Sequence, residues 1–213
     1  MQIVSLNVGM PRAVETAPSE TVLTGIFKSP VSDRRCVAPH QIEGDGQADL
    51  EAHGGADKAV YGYPVEHYAK WHAEEGLPLA DYGLYGENLT TSGLLEEDVC
   101  IGDRYRVGTA VLEVSQPRMP CFKLGLRLGR NDFPKVFLQS RRSGFYFRVI
   151  TVGDIGAGDA IERVSRDAAG ISIHEAQELA FGKDVDPARI AEAMAHPAVS
   201  AAWKKTLGKR MRG

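Results

Sequence analysis

Cys121 stands in the stretch of this sequence that is best suited to chemistry. It follows Pro117 and Pro120, which lack an amide proton and restrict the backbone, and Arg118 and Lys123 are the cations on either side of it. A thiol near fixed positive charges is stabilised as the thiolate, and a thiolate serves as a nucleophile or as a metal ligand. A cysteine that follows an apolar run is also often a small buried side chain without any chemistry. The stretch alone leaves both interpretations open.

Two further loops combine polar side chains with glycine. The residues that suit a binding site are a histidine, two glycines and a lysine in the first loop and a carboxylate and an amide in the second: His53, Gly54, Gly55, Lys58, Glu87 and Asn88. Glycines let the backbone come close to a ligand, although an ordinary surface loop has the same composition. If the fold brings both loops to a rim beside Cys121, the cleft combines a thiolate, cations and backbone amides. Such a cleft suits an anionic ligand with a soft metal centre.

Short apolar runs between turn residues dominate the chain up to residue 164. They predict strands at residues 2–9, 21–27, 59–63, 104–107, 111–114, 145–149 and 160–164, with a connection at 11–20 and an irregular segment at 30–43. The strands at 104–107 and 160–164 each follow a Gly-Asp turn. Two helices are predicted among these strands, one opened by Pro64 and ended by Gly76 and one near residues 132–139. Many short strands with few helices favour a mainly β fold of the barrel or closed-sandwich type.

Composition changes after Val164, where three short helical segments replace the strands. Ser172 and Asp186 are the predicted N-caps of the first two, and the third carries Trp203 on its apolar stripe. We therefore expect two units, a β domain at 1–164 and a three-helix domain at 165–213. The last helix ends in a group of cations, Lys204, Lys205, Lys209, Arg210 and Arg212. These cations fit the C-terminal end of a helix dipole with a solvated face, or a docking surface for an anionic partner.

Composition excludes several classes of protein. The 213 residues carry a formal net charge of −3, which does not fit a nucleic-acid binder with a dominant basic field. There is no apolar run long enough to span a membrane, and the first residues do not resemble a signal peptide. The three cysteines, Cys36, Cys100 and Cys121, are too few and too scattered for a disulfide framework or an iron–sulfur cluster. We expect a cytoplasmic protein without membrane or nucleic-acid partners.

Several motifs occur together and in the order that marks a known family. They are the sequences GDxQAD at 44–49, HGGxDKAV at 53–60, YPxEHY at 63–68, GENL at 86–89, IGD at 101–103 and SQPRxPCFKL at 115–124. Together they resemble the MOSC domain, and most closely its YiiM-like branch. The resemblance covers residues 1–164, and the C-terminal segment is similar to the three-helix domain that ends YiiM-like proteins.

The resemblance implies a β-barrel-type MOSC domain that binds the molybdenum cofactor, a complex of molybdenum with molybdopterin. It implies that Cys121 is the protein's ligand to molybdenum and the catalytic residue. The other expected cofactor contacts are Arg118 and Lys123 against the cofactor's charge, His53, Gly54 and Gly55 at the pterin or its phosphate, Lys58 and Arg142 at the phosphate, and Asn88 near the metal. Glu87 is a candidate proton source, although a structural role fits it better, and Asp45 and Asp49 are expected to hold their loop together.

For function, the resemblance implies reduction of N-hydroxylated compounds, such as 6-hydroxylaminopurine, to amines. Because the sequence has no dinucleotide-binding motif and no cysteine cluster, the two electrons must come from a separate electron-donor protein. The alternative is a non-catalytic carrier of molybdenum cofactor or of its sulfur, which this chain, without a pyridoxal-phosphate domain, would receive from elsewhere. A cysteine hydrolase that pairs Cys121 with His53 is a third interpretation. A homodimer is left open.

Overall fold

The computed structural model describes residues 1–17, 20–48, 54–79 and 81–211. Its strands in chain order are β1 (Gln2–Val8), β2 (Arg12–Ala17), β3 (Glu20–Thr24), β4 (Ser29–Val31), β5 (Arg35–Val37), β6 (Val60–Pro64), β7 (Leu89–Ser92), β8 (Arg104–Val107), β9 (Ala110–Pro117), β10 (Phe145–Thr151), β11 (Gly153–Ile155) and β12 (Ile161–Ser165). Its helices are α1 (Glu66–Glu75), α2 (Phe122–Leu128), α3 (Phe133–Ser140), α4 (Ile173–Phe181), α5 (Pro187–Ala195) and α6 (Ala201–Arg210). None of these helices has the length and apolarity needed to cross a membrane.

Eight of the strands form one mixed sheet in the order β12-β8-β9-β10-β6-β7-β1-β4, in which only β6 and β7 are parallel neighbours. The sheet curls until β1 meets the segment before β12. Gln2 forms an antiparallel bridge with Ala160, and the Ile3 N–H donates to the Asp159 carbonyl at 2.9 Å. We call this short junction between β1 and residues 159–160 the seam. It connects the two parts of the curled sheet by a few hydrogen bonds and not by a long ladder. The predicted mainly β fold with helices is confirmed.

Two apolar clusters fill the structure. The larger is built from the strands of the sheet and continues onto α4 and α6 through Ile173, Trp203 and Leu207. The smaller is largely aromatic and joins β6, α1 and α3, with the Trp71 and Phe137 rings stacked at 5.9 Å between centroids. Because the larger cluster runs across residue 164 without interruption, the expected domain boundary at that residue stays a prediction.

Two segments that the sequence suggested to be irregular contain strands. β2 and β3 pair as antiparallel strands where the sequence suggested a connection followed by one strand. Residues 30–43 contain β5 and part of β4. Both strands are mostly exposed, so their sequences lack the apolar alternation that marks a half-buried strand. Pro64 ends β6 instead of opening α1, whereas Gly76 ends that helix with a φ of 68°, as expected.

The three helices predicted at the C-terminal end are confirmed as α4, α5 and α6. Ser172, Asp186 and Ser200 cap them, since each side-chain oxygen accepts a backbone N–H of its helix's first turn. Ser200 also bonds outside its own helix, because its N–H donates to the Ser115 carbonyl at 3.2 Å. This bond places the start of α6 beside the end of β9, close in sequence to Cys121.

Candidate functional site

Cys121 lies at the N-cap position of α2, just after β9. β9 pairs with β10 up to its last residue, Pro117. The next N–H, that of Arg118, donates to the Gly144 carbonyl at 3.3 Å, and on the other side the Leu124 N–H donates to the Cys121 carbonyl at 3.0 Å. The backbone is therefore hydrogen-bonded on both sides of Cys121, which holds the thiol in place.

Cys121 lines a cavity of about 700 Å³, counting its open mouth. Five of the residues expected at a cofactor site line it together: Lys58, Asn88, Arg118, Cys121 and Lys123. Six further polar side chains also line it, of which only the aspartate has a role expected from the sequence: Thr24, Lys28, Asp45, Gln47, Tyr61 and Tyr146. The fold thus gathers a thiol, several cations and two tyrosines from distant parts of the chain around one opening.

Two glycines let separate parts of the cavity wall come together. A Cβ atom at Gly25 would lie 2.6 Å from the Gly46 carbonyl oxygen, and a Cβ at Gly46 would lie 2.4 Å from Cδ of Pro11. Both distances are too short for real atoms, and both glycines line the cavity. In the glycine-rich segment at 44–49, Gly46 is therefore needed for close packing of the wall.

Arg118 and Lys123 bring positive charge to the cavity while only 6% and 8% exposed. The Arg118 guanidinium lies over the Tyr61 ring, 4.9 Å from its centroid. In the described part of the chain, neither cation forms a salt bridge with a carboxylate. Burial lowers the pKa of Arg118, but Tyr61 and Cys121 act against burial, and the pKa is raised overall. A buried charge without an acidic partner is costly, and an anion in the cavity would offset that cost.

Lys28 is a third buried cation at the cavity, but it has an acidic partner. Its ammonium group forms an ion pair with Asp45, and burial lowers the pKa of Lys28 while Asp45 acts in the opposite direction. Asp45 also accepts from the Gly9 N–H and from the Asn88 side-chain amide, both at 2.9 Å. The Asn88 oxygen accepts in turn from the Tyr61 N–H at 3.0 Å. Both polar ends of Asn88 are thus used within the wall, so Asn88 and Asp45 hold the wall in shape.

Glu87 is fully buried and does not line the cavity. Its carboxylate accepts hydrogen bonds from the Tyr68 hydroxyl, from the Thr90 hydroxyl at 2.9 Å, and from the N–H groups of Gly83 and Tyr85 at 2.9 and 3.1 Å. Burial raises the pKa of Glu87, and these hydrogen bonds limit that rise. With four donors on its carboxylate, Glu87 links α1, β7 and the bend before it. Its position is that of a structural group, not of one that is open to a substrate.

Arg142 lies away from the cavity. Its guanidinium bonds both carboxylate oxygens of Glu74, at 2.7 and 2.8 Å, and lies over the Trp71 ring, 4.6 Å from its centroid. The charge of Arg142 therefore already has a partner on α1, and we leave this residue out of the site.

Described residues on both sides of the glycine pair, Gln47, Ala48 and Lys58, line the cavity. The Gly55 N–H donates to the Gln47 side chain at 2.9 Å, and Gln47 lines the cavity. Gly54 and Gly55 themselves are half-buried and are not part of the cavity wall. His53 and Asp49 lie outside the described residues, so the roles expected for them stay predictions.

The donors in the cavity fit the molybdenum cofactor better than a metal held by protein ligands alone. Among residues 1–17, 20–48, 54–79 and 81–211, no three His, Cys, Asp or Glu side chains are grouped as metal ligands. Cys121 offers one soft sulfur ligand, and Arg118 and Lys123 place positive charge at the same cavity. A metal that brings its remaining ligands within an anionic cofactor matches this combination.

Comparison with known proteins places the chain in a family. Residues 49–162 match the model of the MOSC domain, and residues 171–213 match that of the YiiM-like, 3-alpha helix domain. The chain therefore belongs to the MOSC family and carries a YiiM-like C-terminal helical domain. The resemblance inferred from its motifs is confirmed.

Three relatives illustrate the match. The chain is 39% identical over 208 residues to the uncharacterized protein YflK of Bacillus subtilis (strain 168). The aligned residues are 98% of this chain and 93% of YflK. The crystal structure of YiiM from Geobacillus stearothermophilus is 39% identical and superposes with a TM-score of 0.83, covering 99% of this chain and 98% of that one. A protein of Gibberella moniliformis (strain M3125 / FGSC 7600) named Reductase is 35% identical over 192 residues, which are 89% of this chain but only 34% of that protein.

Proposed function

We propose that this chain binds the molybdenum cofactor through Cys121 and reduces N-hydroxylated compounds to amines. The observation that carries the proposal is the position of Cys121 in one cavity with the buried cations Arg118 and Lys123, which have no salt-bridge partner in the described part of the chain. Membership of the MOSC family, whose domains are associated with the molybdenum cofactor, supports it. The relative named Reductase gives further support for redox chemistry.

In this proposal the cavity residues have separate tasks. The Cys121 sulfur is the protein's ligand to molybdenum, and the hydrogen-bonded backbone on both sides of it keeps that ligand in place. Arg118 and Lys123 offset the negative charge of the cofactor, with Lys58 as a further cation at the cavity. Asn88 serves the wall through its bonds to neighbouring segments. The cofactor, when bound, supplies a metal that exchanges two electrons with the substrate.

The overall reaction adds two electrons and two protons to R–NHOH, breaks the N–O bond, and forms R–NH2 and water. The protons come from solvent through the open mouth of the cavity. The electrons come from a separate electron-donor protein, because the three scattered cysteines of the sequence are too few to hold an iron–sulfur cluster.

Turnover by cofactor-loaded protein with a chemical reductant tests the proposal. We expect 6-hydroxylaminopurine to be converted to adenine and benzamidoxime to benzamidine, each with release of water. We expect Cys121→Ala to abolish turnover and lower the molybdenum content. Cys36→Ala is the matched control, because Cys36 is half-buried in β5 and does not line the cavity. This control should keep wild-type turnover and wild-type molybdenum content.

Two results would contradict the proposal. Wild-type protein that holds molybdenum in equimolar amount but converts neither substrate would favour a non-catalytic carrier of cofactor or sulfur. Activity that is independent of molybdenum, with labelling of Cys121 by an acyl electrophile, would favour a cysteine hydrolase.

A further inference from the structure

A second cavity adjoins Cys121, and the last helix forms part of it. It measures about 610 Å³, counting its mouth. Four residues line both cavities: Lys58, Met119, Cys121 and Tyr146. The other wall residues come from the segment before Cys121 and from α6: Gln116, Pro120, Ala202, Trp203 and Thr206. Cys121 therefore stands where two cavities meet.

Ser200 fixes the α6 wall relative to Cys121. Its hydroxyl donates to the Gln116 side-chain oxygen at 2.7 Å and accepts from the Trp203 N–H at 3.0 Å. Its own N–H donates to the Ser115 carbonyl at 3.2 Å. Ser115 and Gln116 belong to β9, the strand that leads to Cys121. These hydrogen bonds therefore fix the start of α6 relative to the segment that carries the thiol.

The two cavities differ in charge. Three buried cations line the first cavity and not the second: Lys28, Arg118 and Lys123. Lys58, which lines both cavities, is the one lysine or arginine among the described residues that line the second, and Gln116, Pro120, Ala202, Trp203 and Thr206, which line the second but not the first, carry no formal charge. Its lining is aromatic at Trp203 and Tyr146, with neutral polar groups beside them. An anionic cofactor fits the first cavity, whereas a neutral ring compound fits the second.

Trp203 adds a second observation that points to a ligand. This side chain is 1% exposed, and its indole Nε1 has no hydrogen-bond acceptor among the described residues. A buried donor without an acceptor destabilises the structure, and a ring nitrogen or carbonyl oxygen of a bound molecule would supply the missing acceptor.

We infer that the second cavity is the substrate site, that it takes neutral heteroaromatic N-hydroxylated compounds, and that α6 selects among them. The inference rests on the function proposed above. It assigns to the C-terminal helical domain a direct part in substrate recognition, at a cavity that shares Cys121 with the cavity proposed for the cofactor.

Filling the second cavity tests the inference with two matched variants. Ala201 and Ala202 are both exposed alanines on α6, but only Ala202 lines the cavity. We expect Ala202→Trp to raise the KM for 6-hydroxylaminopurine roughly 10-fold or more, and to weaken calorimetric binding of adenine, the amine product, to the same degree. Thr206→Phe, on the same wall, should repeat this effect. Ala201→Trp should keep the wild-type KM and adenine affinity, and all three variants should keep wild-type molybdenum and pterin content.

Adenine binding and cofactor content separate this inference from the proposed function. If wild type is active but Ala202→Trp has the KM and adenine affinity of Ala201→Trp, the inference is wrong and the proposed function stands. If Ala202→Trp loses molybdenum and pterin, the second cavity holds cofactor, and the inference is again wrong. If wild type reduces no substrate but binds adenine, and Ala202→Trp removes that binding, the reductase function fails while the second cavity remains a heteroaromatic site.

Discussion

Ser200 holds the last helix to the strand that leads to Cys121, and its replacement by alanine has a cost that can be worked out from its hydrogen bonds. The variant loses the side-chain acceptor for the Trp203 N–H, and loss of an N-cap serine costs about 1 kcal/mol. It also removes the hydroxyl that donates to the buried Gln116 oxygen, and a buried polar group left without a partner costs roughly 1–3 kcal/mol. Together the two losses lower the free energy of unfolding by about 3 kcal/mol.

Ser172→Ala is the matched control for Ser200→Ala. Ser172 caps α4 through the Glu175 N–H at 3.0 Å, and its hydroxyl has no second partner in the described part of the chain. Only the cap is lost there, at about 1 kcal/mol. For a protein of this size, 1 kcal/mol shifts Tm by roughly 2–4 °C. Thermal unfolding should therefore show a Tm loss about three times larger for Ser200→Ala than for Ser172→Ala. Equal losses would refute the reasoning, because the Gln116 contact would then contribute nothing to stability.

Two further predictions concern charged groups. Glu87→Gln turns an amide N–H toward the backbone N–H of either Gly83 or Tyr85, so the free energy of unfolding measured in urea should fall by roughly 1–3 kcal/mol. Because burial raises the pKa of Glu87 above its ordinary 4.5, the folded state keeps a proton that the unfolded state releases above that pH. The stability contributed by this group therefore falls as the pH rises from about 4.5 toward the folded pKa, and a variant with the same pH slope as wild type would contradict this assignment. The basic end of α6 is a candidate docking surface for an acidic electron donor. A triple variant with glutamate at Lys204, Lys205 and Lys209 should then slow turnover with the physiological donor but not with a chemical reductant. Equal turnover with both donors would rule out that surface.

The parts of the molecule that could be predicted from sequence are those whose signals are local. The C-terminal helices carry their caps and apolar stripes within a few residues, and Ser172 and Asp186 cap α4 and α5 as expected. Arg118 and Lys123 could be expected beside Cys121 because the three are neighbours in the chain. The helix α2 was missed, since two prolines before it and Gly125 within it indicate a loop by the same local rules.

The parts that could not be predicted depend on strand pairing. Tyr61 and Tyr146 meet because they are register partners on β6 and β10, and no window of sequence contains that pairing. In the sequence, Lys28 is a cation at the end of an apolar run, and nothing near it indicates a buried ion pair. The folded chain shows that it pairs with Asp45. Arg142, like Arg118, is expected from the sequence to contact the cofactor. Its side chain instead pairs with Glu74 on α1 and does not line the cavity.

The seam of the curled sheet also orders the events of folding. The first strand needs Asp159 and Ala160 as partners, and these residues follow it by about 150 positions. Contacts between distant parts of a chain form slowly, because a long loop must close before they are made. During synthesis, β1 therefore stays without this neighbour until residue 160 has left the ribosome. The strand made first is among the last to gain all of its partners.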